Sequence, residues 1–296
     1  MAKFENDLPW YRETNPLPAG SDIVIIGGGV AGVLTAYHLQ KTGYKITLIE
    51  SNSSLMTGAS GNPVAILDPF LSISSTPEGD FYKLAYSYAL EFYRTLNEKV
   101  FEECGLIKKP KDKNDNARFE IISKNYTNDI LDFVDGQLIF PKSGYVMPQA
   151  ISKLVEDRVN IIFNTNVAQL KPIEDKKWSL FESEGNHIID AAVVIVCNAG
   201  GVDGFHQTNH INIDKVCGQI SYLSPRYTDK PVLCRDGYIT PIIKTDIGKA
   251  NICGATFEKN VSSASKELSK ESHQENLAKC PVNSSNMSVI GGRRGI

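Results

Sequence analysis

The segment Gly27-Gly28-Gly29-Val30-Ala31-Gly32 puts glycine at the three defining positions of a G-x-G-x-x-G turn, Gly27, Gly29 and Gly32. Each has its own physical task. Gly27 makes the tight turn out of a strand, Gly29 lets the backbone approach a pyrophosphate, and Gly32 lets the next helix lie close to the sheet. The free N–H groups at the helix start, with Val30 and Ala31 in its first turn, then face the phosphates, where the helix dipole favours negative charge. Glu50 ends the next apolar run, at the position where a carboxylate accepts hydrogen bonds from a ribose 2′-hydroxyl. The same carboxylate would repel the 2′-phosphate of NADP.

FAD and NAD share this unit, and the next segment separates them. Gly58-Ala59-Ser60-Gly61-Asn62 is a run of small residues directly after the ribose acid. Small residues let a backbone lie against a large flat ligand and donate several N–H groups to it. A flexible surface loop is the alternative for that composition. Asn198-Ala199-Gly200 closes a buried strand with small residues, which suits a second close approach to the cofactor at the carboxyl end of the sheet.

These groups need a scaffold, and the apolar pattern supplies one. Residues 22–26 and 192–197 are apolar runs, as buried parallel strands require, and Lys45–Ile49 reads as a second strand ending at Glu50. Residues 30–42 read as a helix stopped by Gly43, and 51–79 as a long loop with a buried piece around 64–67. A long amphipathic helix is expected over about 80–104, then short strands over 117–147 with a turn at 142–144. Pro148 opens a helix to about 157, followed by a strand at 159–163 and a hairpin-like pair around Trp178 and Leu180. Alternating strands and turns return over 213–257, with a helix near 264–278. Strand-helix-strand pieces thus alternate with antiparallel-looking blocks, which predicts two interleaved domains.

Composition sets the outer bounds. A net charge of −3 over 296 residues makes the whole chain no electrostatic magnet for nucleic acid, so any RNA contact needs a local patch. The densest basic run, Lys108, Lys109, Lys111 and Lys113, is diluted by Asp112 and Asp115 and reads as a solvated turn, a nucleic-acid patch being the alternative. Tyr82, Tyr86, Tyr88, Phe92 and Tyr93 are expected to pack a helix, because base-stacking needs exposed faces. The six cysteines contain no C-x-x-C pair, which fits reduced thiols. His206 and His210 lack the carboxylate or cysteine that would complete a metal site, and none is expected. No apolar run is long enough to cross a bilayer, and the N-terminus has no secretory core, so a cytoplasmic protein is expected.

The fingerprint, Glu50 and the Asn198-Ala199-Gly200 strand end resemble FAD-dependent amine oxidoreductases of the D-amino-acid oxidase and glycine oxidase type. More narrowly, Gly58–Asn62 with Pro69-Phe-Leu-Ser72 resembles the FAD half of the bifunctional tRNA wobble-uridine enzymes, the MnmC family. So do 143–148, Gly218-Gln-Ile-Ser221 and Asp236-Gly-Tyr-Ile-Thr-Pro241. The resemblance implies an α/β fold: a Rossmann-like FAD-binding domain with an interleaved antiparallel-sheet substrate domain. The expected boundaries are a linker-like leader at 1–20, an FAD-binding domain at 21–105 and 146–204, and a substrate domain at 106–145 and 205–290. The cofactor-binding set is taken as Gly27, Gly29, Val30, Ala31, Gly32, Glu50, Gly58, Ala59, Ser60, Gly61, Asn62, Val167, Asn198, Ala199 and Gly200.

The implied activity is oxidation of the 5-carboxymethylaminomethyl group of wobble uridine in tRNA to 5-aminomethyl, with release of glyoxylate. An oxidase of free glycine or sarcosine is the alternative, and an inactive fragment another. Three departures accompany the resemblance. The family's methyltransferase domain is absent upstream, which assigns methylation to a separate protein or to none. Ala65 and Cys217 stand where the family usually has glycine and arginine. The chain stops at 291–296, where the family continues with a return strand and helix.

The catalytic candidates are Tyr238, Gln219 and Arg235. Tyr238 either approaches the flavin and substrate amine or fills the sheet core. Gln219 either bonds within the active site or serves its strand. Arg235 and Arg294 are candidate clamps for the glycine carboxylate, because guanidinium binds carboxylates bidentately.

Overall fold

A four-stranded sheet carries the glycine turn. In the computed structural model, which describes residues 16–96, 99–126, 129–259 and 267–295, its order is Val193–Val196, Asp22–Ile26, Lys45–Ile49, Asn160–Ile162. All three pairings are parallel. Ile23, Ile25 and Leu48 face Val33 and Ala36 of α1 (Val30–Leu39) in one core cluster. Val24, Ile26 and Ile49 face Leu180 and Ala191 in another. The second cover is a three-stranded antiparallel sheet, Gln169–Ile173, Lys177–Phe181 and His187–Ala191, with Trp178 and Leu180 together on its middle strand. Packing on both faces is why the Ile23–Ile26 and Val193–Val196 segments read as unbroken apolar runs.

The helices depart from the sequence pattern at their ends. α2 (Pro77–Thr95) begins earlier than expected because Thr76 caps it, accepting from Gly79 N–H at 3.0 Å, with proline in the first turn. It also ends earlier, and Phe101–Glu102 is a strand instead. α3 (Lys113–Asn125) occupies a stretch expected to hold strands. The Asp112 carboxylate accepts from the N–H groups of Asn114 and Asp115, both at 2.9 Å, and so starts a helix inside the lysine run. α4 (Pro148–Ser152) stops short of residue 157, and α5 (Lys270–Lys279) opens at Ser269, which accepts from Ser272 N–H. The expected leader at 1–20 lies outside the described residues up to position 15.

The second body of structure is a ten-stranded mixed sheet built from residues 106–108, 132–140, 216–259 and 289–295. Its two faces are set by the period-two alternation of strands. On Val216–Leu223, Ile220 and Tyr222 join the cluster with Phe119, Ile122, Leu138 and Phe140. Leu223, with Leu233 and Ile239, lies in the opposite cluster, on which Leu277 of α5 packs. The chain runs from the parallel sheet to the large sheet, back to 160–196, and out again. Ala65–Leu67, Gly144–Val146 and Phe101–Glu102 form a small antiparallel sheet of their own. The six cysteines are free, and no described helix is long and apolar enough to cross a membrane.

Candidate cofactor and substrate site

The glycine turn sits where three strands converge. Gly27 leaves the central strand at φ +106°, its N–H bound to Ile49 O at 2.8 Å. A Cβ at Gly27 would strike the Cys197 carbonyl, and one at Gly32 would strike the Gly27 carbonyl. The helix therefore packs directly on the turn, the close approach that bare glycine permits. Gly29 is the N-cap of α1 and offers no side chain to occupy its free N–H groups, while Val30 and Ala31 are exposed beside it. Ser60 reaches this helix end from the small-residue loop, its Oγ accepting from Val30 N–H at 3.0 Å.

Glu50 is 6% exposed and points at the turn. Its Oε2 accepts from Gly28 N–H at 2.7 Å. Its Oε1 accepts from Asn52 N–H at 2.8 Å and Asn52 Nδ2 at 2.6 Å. A carboxylate has about four lone-pair sites, so the Oε2 edge retains capacity for a ribose hydroxyl. Two further polar atoms await a partner: Thr57 Oγ1 and Asn198 Oδ1 are buried and unbonded among the described residues. Ala199 follows at φ +48° and Gly200 packs on the Lys215 stem. A helix end that only Ser60 caps, a fixed carboxylate and unpartnered polar atoms suit the pyrophosphate and ribose of FAD. Val167 differs from the rest of the set: its side chain is 7% exposed, in the core cluster under the sheet.

Arg293 was not legible as part of this cradle. The strand Val289–Gly295 brings its guanidinium to the loop, where it donates to Thr57 O at 2.5 Å and Gly58 O at 2.7 Å. It fills the space that a side chain at Gly61 would need. The 291–296 segment did carry the arginine, but nothing local tied it to residues more than two hundred positions earlier. A cavity of about 540 Å³ opens beside it, lined by Gly61, Pro63, Met147, Tyr222 and Arg293.

In the large sheet Tyr238 opens the strand that follows the 235–237 turn carrying Arg235, while Gln219 lies on a separate strand. Tyr238 pairs with Cys234 across a two-strand register and its phenol packs against Gly254. Burial pushes its hydroxyl well above the ordinary tyrosine value, so at neutral pH it is a donor and not a base. Arg235 lines a cavity of about 250 Å³ together with Phe70, Leu71, Lys108, Phe119 and Cys234. Its own ion pair, Nε to Asp236 Oδ2 at 3.5 Å, uses one edge of the guanidinium. Gln219 faces the other side of the sheet. Its Nε2 donates to Ser269 O and its Oε1 accepts from Ser269 N–H, both at 2.8 Å, which ties the strand to the start of α5. Alternation puts it there: Gln219, Ser221 and Leu223 share one face, Ile220 and Tyr222 the other. Arg294 is also committed, since both terminal nitrogens hold the Glu258 carboxylate and keep that acid below its usual range. Lys108, Lys109 and Lys111, expected in a solvated turn, line the cavity wall.

Comparison with known proteins agrees with this geometry. Residues 22–281 match the family model described as FAD dependent oxidoreductase. The bifunctional tRNA 5-methylaminomethyl-2-thiouridine biosynthesis protein MnmC of Chromobacterium violaceum is 28% identical over 91% of this chain and 43% of its own length. That of Methylobacillus flagellatus is 30% identical over 86% of the chain and 41% of its own. The chain thus spans about two-fifths of these relatives. Among solved structures, glycine oxidase from Geobacillus kaustophilus superposes with a TM-score of 0.73 at 16% identity, covering 93% of this chain and 82% of that one. Iminodiacetate oxidase from Chelativorans sp. BNC1 gives 0.69 at 18%, covering 92% and 82%.

Proposed function

The chain belongs to the FAD-dependent oxidoreductase (DAO) family, and from that premise we propose that it oxidises the 5-carboxymethylaminomethyl group of wobble uridine in tRNA. It is an enzyme of amine C–N chemistry with FAD as cofactor. Bound FAD supplies the hydride acceptor for the carbon beside the amine nitrogen. The substrate C–N single bond becomes an imine, and water then cleaves it to 5-aminomethyl-uridine and glyoxylate. This places the protein in the cytoplasm with its tRNA.

The protein's own residues bind and orient. Gly27, Gly29, Gly32 and Ser60 surround the helix end that takes the pyrophosphate, and Glu50 takes the ribose. Gly58–Asn62, latched by Arg293, continue the cradle. Arg235 offers its open guanidinium edge to the glycine-like carboxylate. Tyr238, held protonated by burial, donates a hydrogen bond to the substrate and removes no proton. No acid–base pair is needed, because the reacting carbon loses hydride and not a proton to the protein.

The observation that carries this reading is the 250 Å³ cavity, roomy enough for a side-chain-sized amine acid and walled by Arg235 together with Phe119, Leu138 and Phe140, members of the cluster on which Tyr238 packs. The tRNA-modifying relatives support tRNA as the bearer of that amine. A free small amine is the second reading, favoured by the same volume. Anaerobic mixing of the FAD-loaded chain with tRNA carrying the group, or with glycine, separates them. Bleaching of the visible flavin band by the tRNA alone is expected. Bleaching by glycine alone assigns the second reading, and a colourless chain that takes up no FAD removes both.

A further inference from the structure

The wall of the Arg235 cavity is apolar below and basic above. Lys108, Lys109, Lys111, Arg118 and Arg235 line it against Asp68 and Asp115. Lys108 is paired with Asp68 at 2.6 Å, Lys111 and Arg235 share Asp236, and Arg118 lies 3.8 Å from Asp115. Lys109 makes no ion pair among the described residues. Five cations meet three acids here, on a chain whose net charge is −3.

Beside them runs a row of exposed rings. Phe70, in the cavity wall, is 53% exposed; Tyr82 and Phe81 of α2 are 42% and 65% exposed. Phe70 and Tyr82 have centroids 5.0 Å apart, and Tyr82 and Phe81 5.6 Å apart. α2 buries Tyr86 and Leu90 and turns these rings to solvent. The sequence pattern suggested packing for the α2 aromatics, and Tyr86 does pack. Tyr82 and Tyr88 stay exposed despite their ring contacts.

We infer that the basic rim and the Phe70–Tyr82–Phe81 row form the docking surface for unpaired RNA nucleotides. This rests on the tRNA reading above and names its contact surface. Rings accept any base by stacking, and the neighbouring cations hold the phosphates between bases. Only unstacked bases can be received this way, which selects a loop over a duplex. A second copy of the chain is the poorer occupant. Two-fold association through the rings would set each cation cluster against its like.

The test measures binding of a fluorescent anticodon stem-loop RNA to the FAD-loaded chain across a salt series. Phe81→Ala and Tyr82→Ala should each weaken binding about fivefold or more with the salt slope unchanged. Lys109→Gln should lower the slope by about 0.7, the value for one lost phosphate contact to a single strand. Phe81 and Tyr82 are exposed and Lys109 is half-buried in the cavity wall, and the flavin band reports that each variant is folded and loaded. Variants that match the parent in affinity and slope overturn the surface and leave the substrate reading standing. A parent chain that binds no RNA overturns the surface too, and the bleaching experiment decides the substrate separately. A dimer abolished by Phe81→Ala, with RNA binding retained, also overturns it by giving the rings to a second copy.

Discussion

The backbone N–H of Gly28 donates to Glu50 Oε2 at 2.7 Å. That bond joins the turn proposed to meet the phosphates to the carboxylate proposed to meet the ribose, so the two halves of the cradle are one unit. A Cβ at Gly28 would lie 2.8 Å from the same oxygen, and no side chain other than hydrogen keeps the bond.

Glu50→Gln should weaken FAD binding without unfolding the chain. The amide keeps one acceptor and turns the other into a donor, facing N–H groups on both sides. Loss of a charge-assisted hydrogen bond costs about 1.5–3 kcal/mol, or roughly ten- to a hundredfold in dissociation constant. Titration with FAD, followed by flavin fluorescence, reads it. An affinity within twofold of the parent would remove Glu50 from the site.

Gly32→Ala should be far worse than Gly204→Ala. The new methyl at position 32 meets the Gly27 carbonyl, which is backbone and held by the sheet, whereas position 204 opens on empty space. Overpacking at such a contact costs about 1–3 kcal/mol, and the displaced helix end should also lose its cofactor. Thermal melting with and without FAD separates the pair. Equal melting points would mean that the helix backs away at no cost.

How much of this was legible follows from the range of each interaction. The strands at 22–26 and 193–196 pack on both faces, so their identity is written locally as apolar runs, and the glycine turn is written in the same short stretch. α3 was missed because only Phe119 and Ile122 of its thirteen residues are buried; the one local signal, Asp112 as a cap, lay hidden among lysines. Gln219 could have been set apart by alternation with Ile220 and Tyr222. Arg293 could not, because its contact to Thr57 spans 236 positions and has no local pattern.

Arg293→Met should loosen the 57–61 loop while the sheet stays formed. The thioether keeps the apolar stem of the side chain and abolishes both bonds to Thr57 O and Gly58 O. Those carbonyls lie in a part-buried or exposed setting, so water replaces the guanidinium and the global melting point should fall little. The loop itself should become the first site of proteolytic cleavage and FAD affinity should drop. Limited proteolysis with mass spectrometry checks this. Protection equal to that of the parent would show that the latch holds nothing.

His273 sets a pH dependence whose sign is fixed by its surroundings. Its Nδ1 lies 2.7 Å from Ser221 Oγ, and its ring packs so closely on the last strand that a Cβ at Gly292 would fall 2.7 Å from Cε1. Burial holds its pKa below the ordinary histidine value. Above about pH 6.5 the ring is neutral in the folded and the unfolded chain alike, and the contribution is fully present. As the pH falls through that value the unfolded chain takes up a proton that the folded one refuses, so stability is lost until the lower, folded pKa is passed. Denaturant midpoints measured between about pH 7.5 and pH 5.5 should therefore fall in the parent. In His273→Gln the fall should be smaller, because glutamine keeps a hydrogen-bonding partner for Ser221 but does not titrate. If both proteins lose the same stability over that interval, the proton goes elsewhere and the buried ring is not the group responsible.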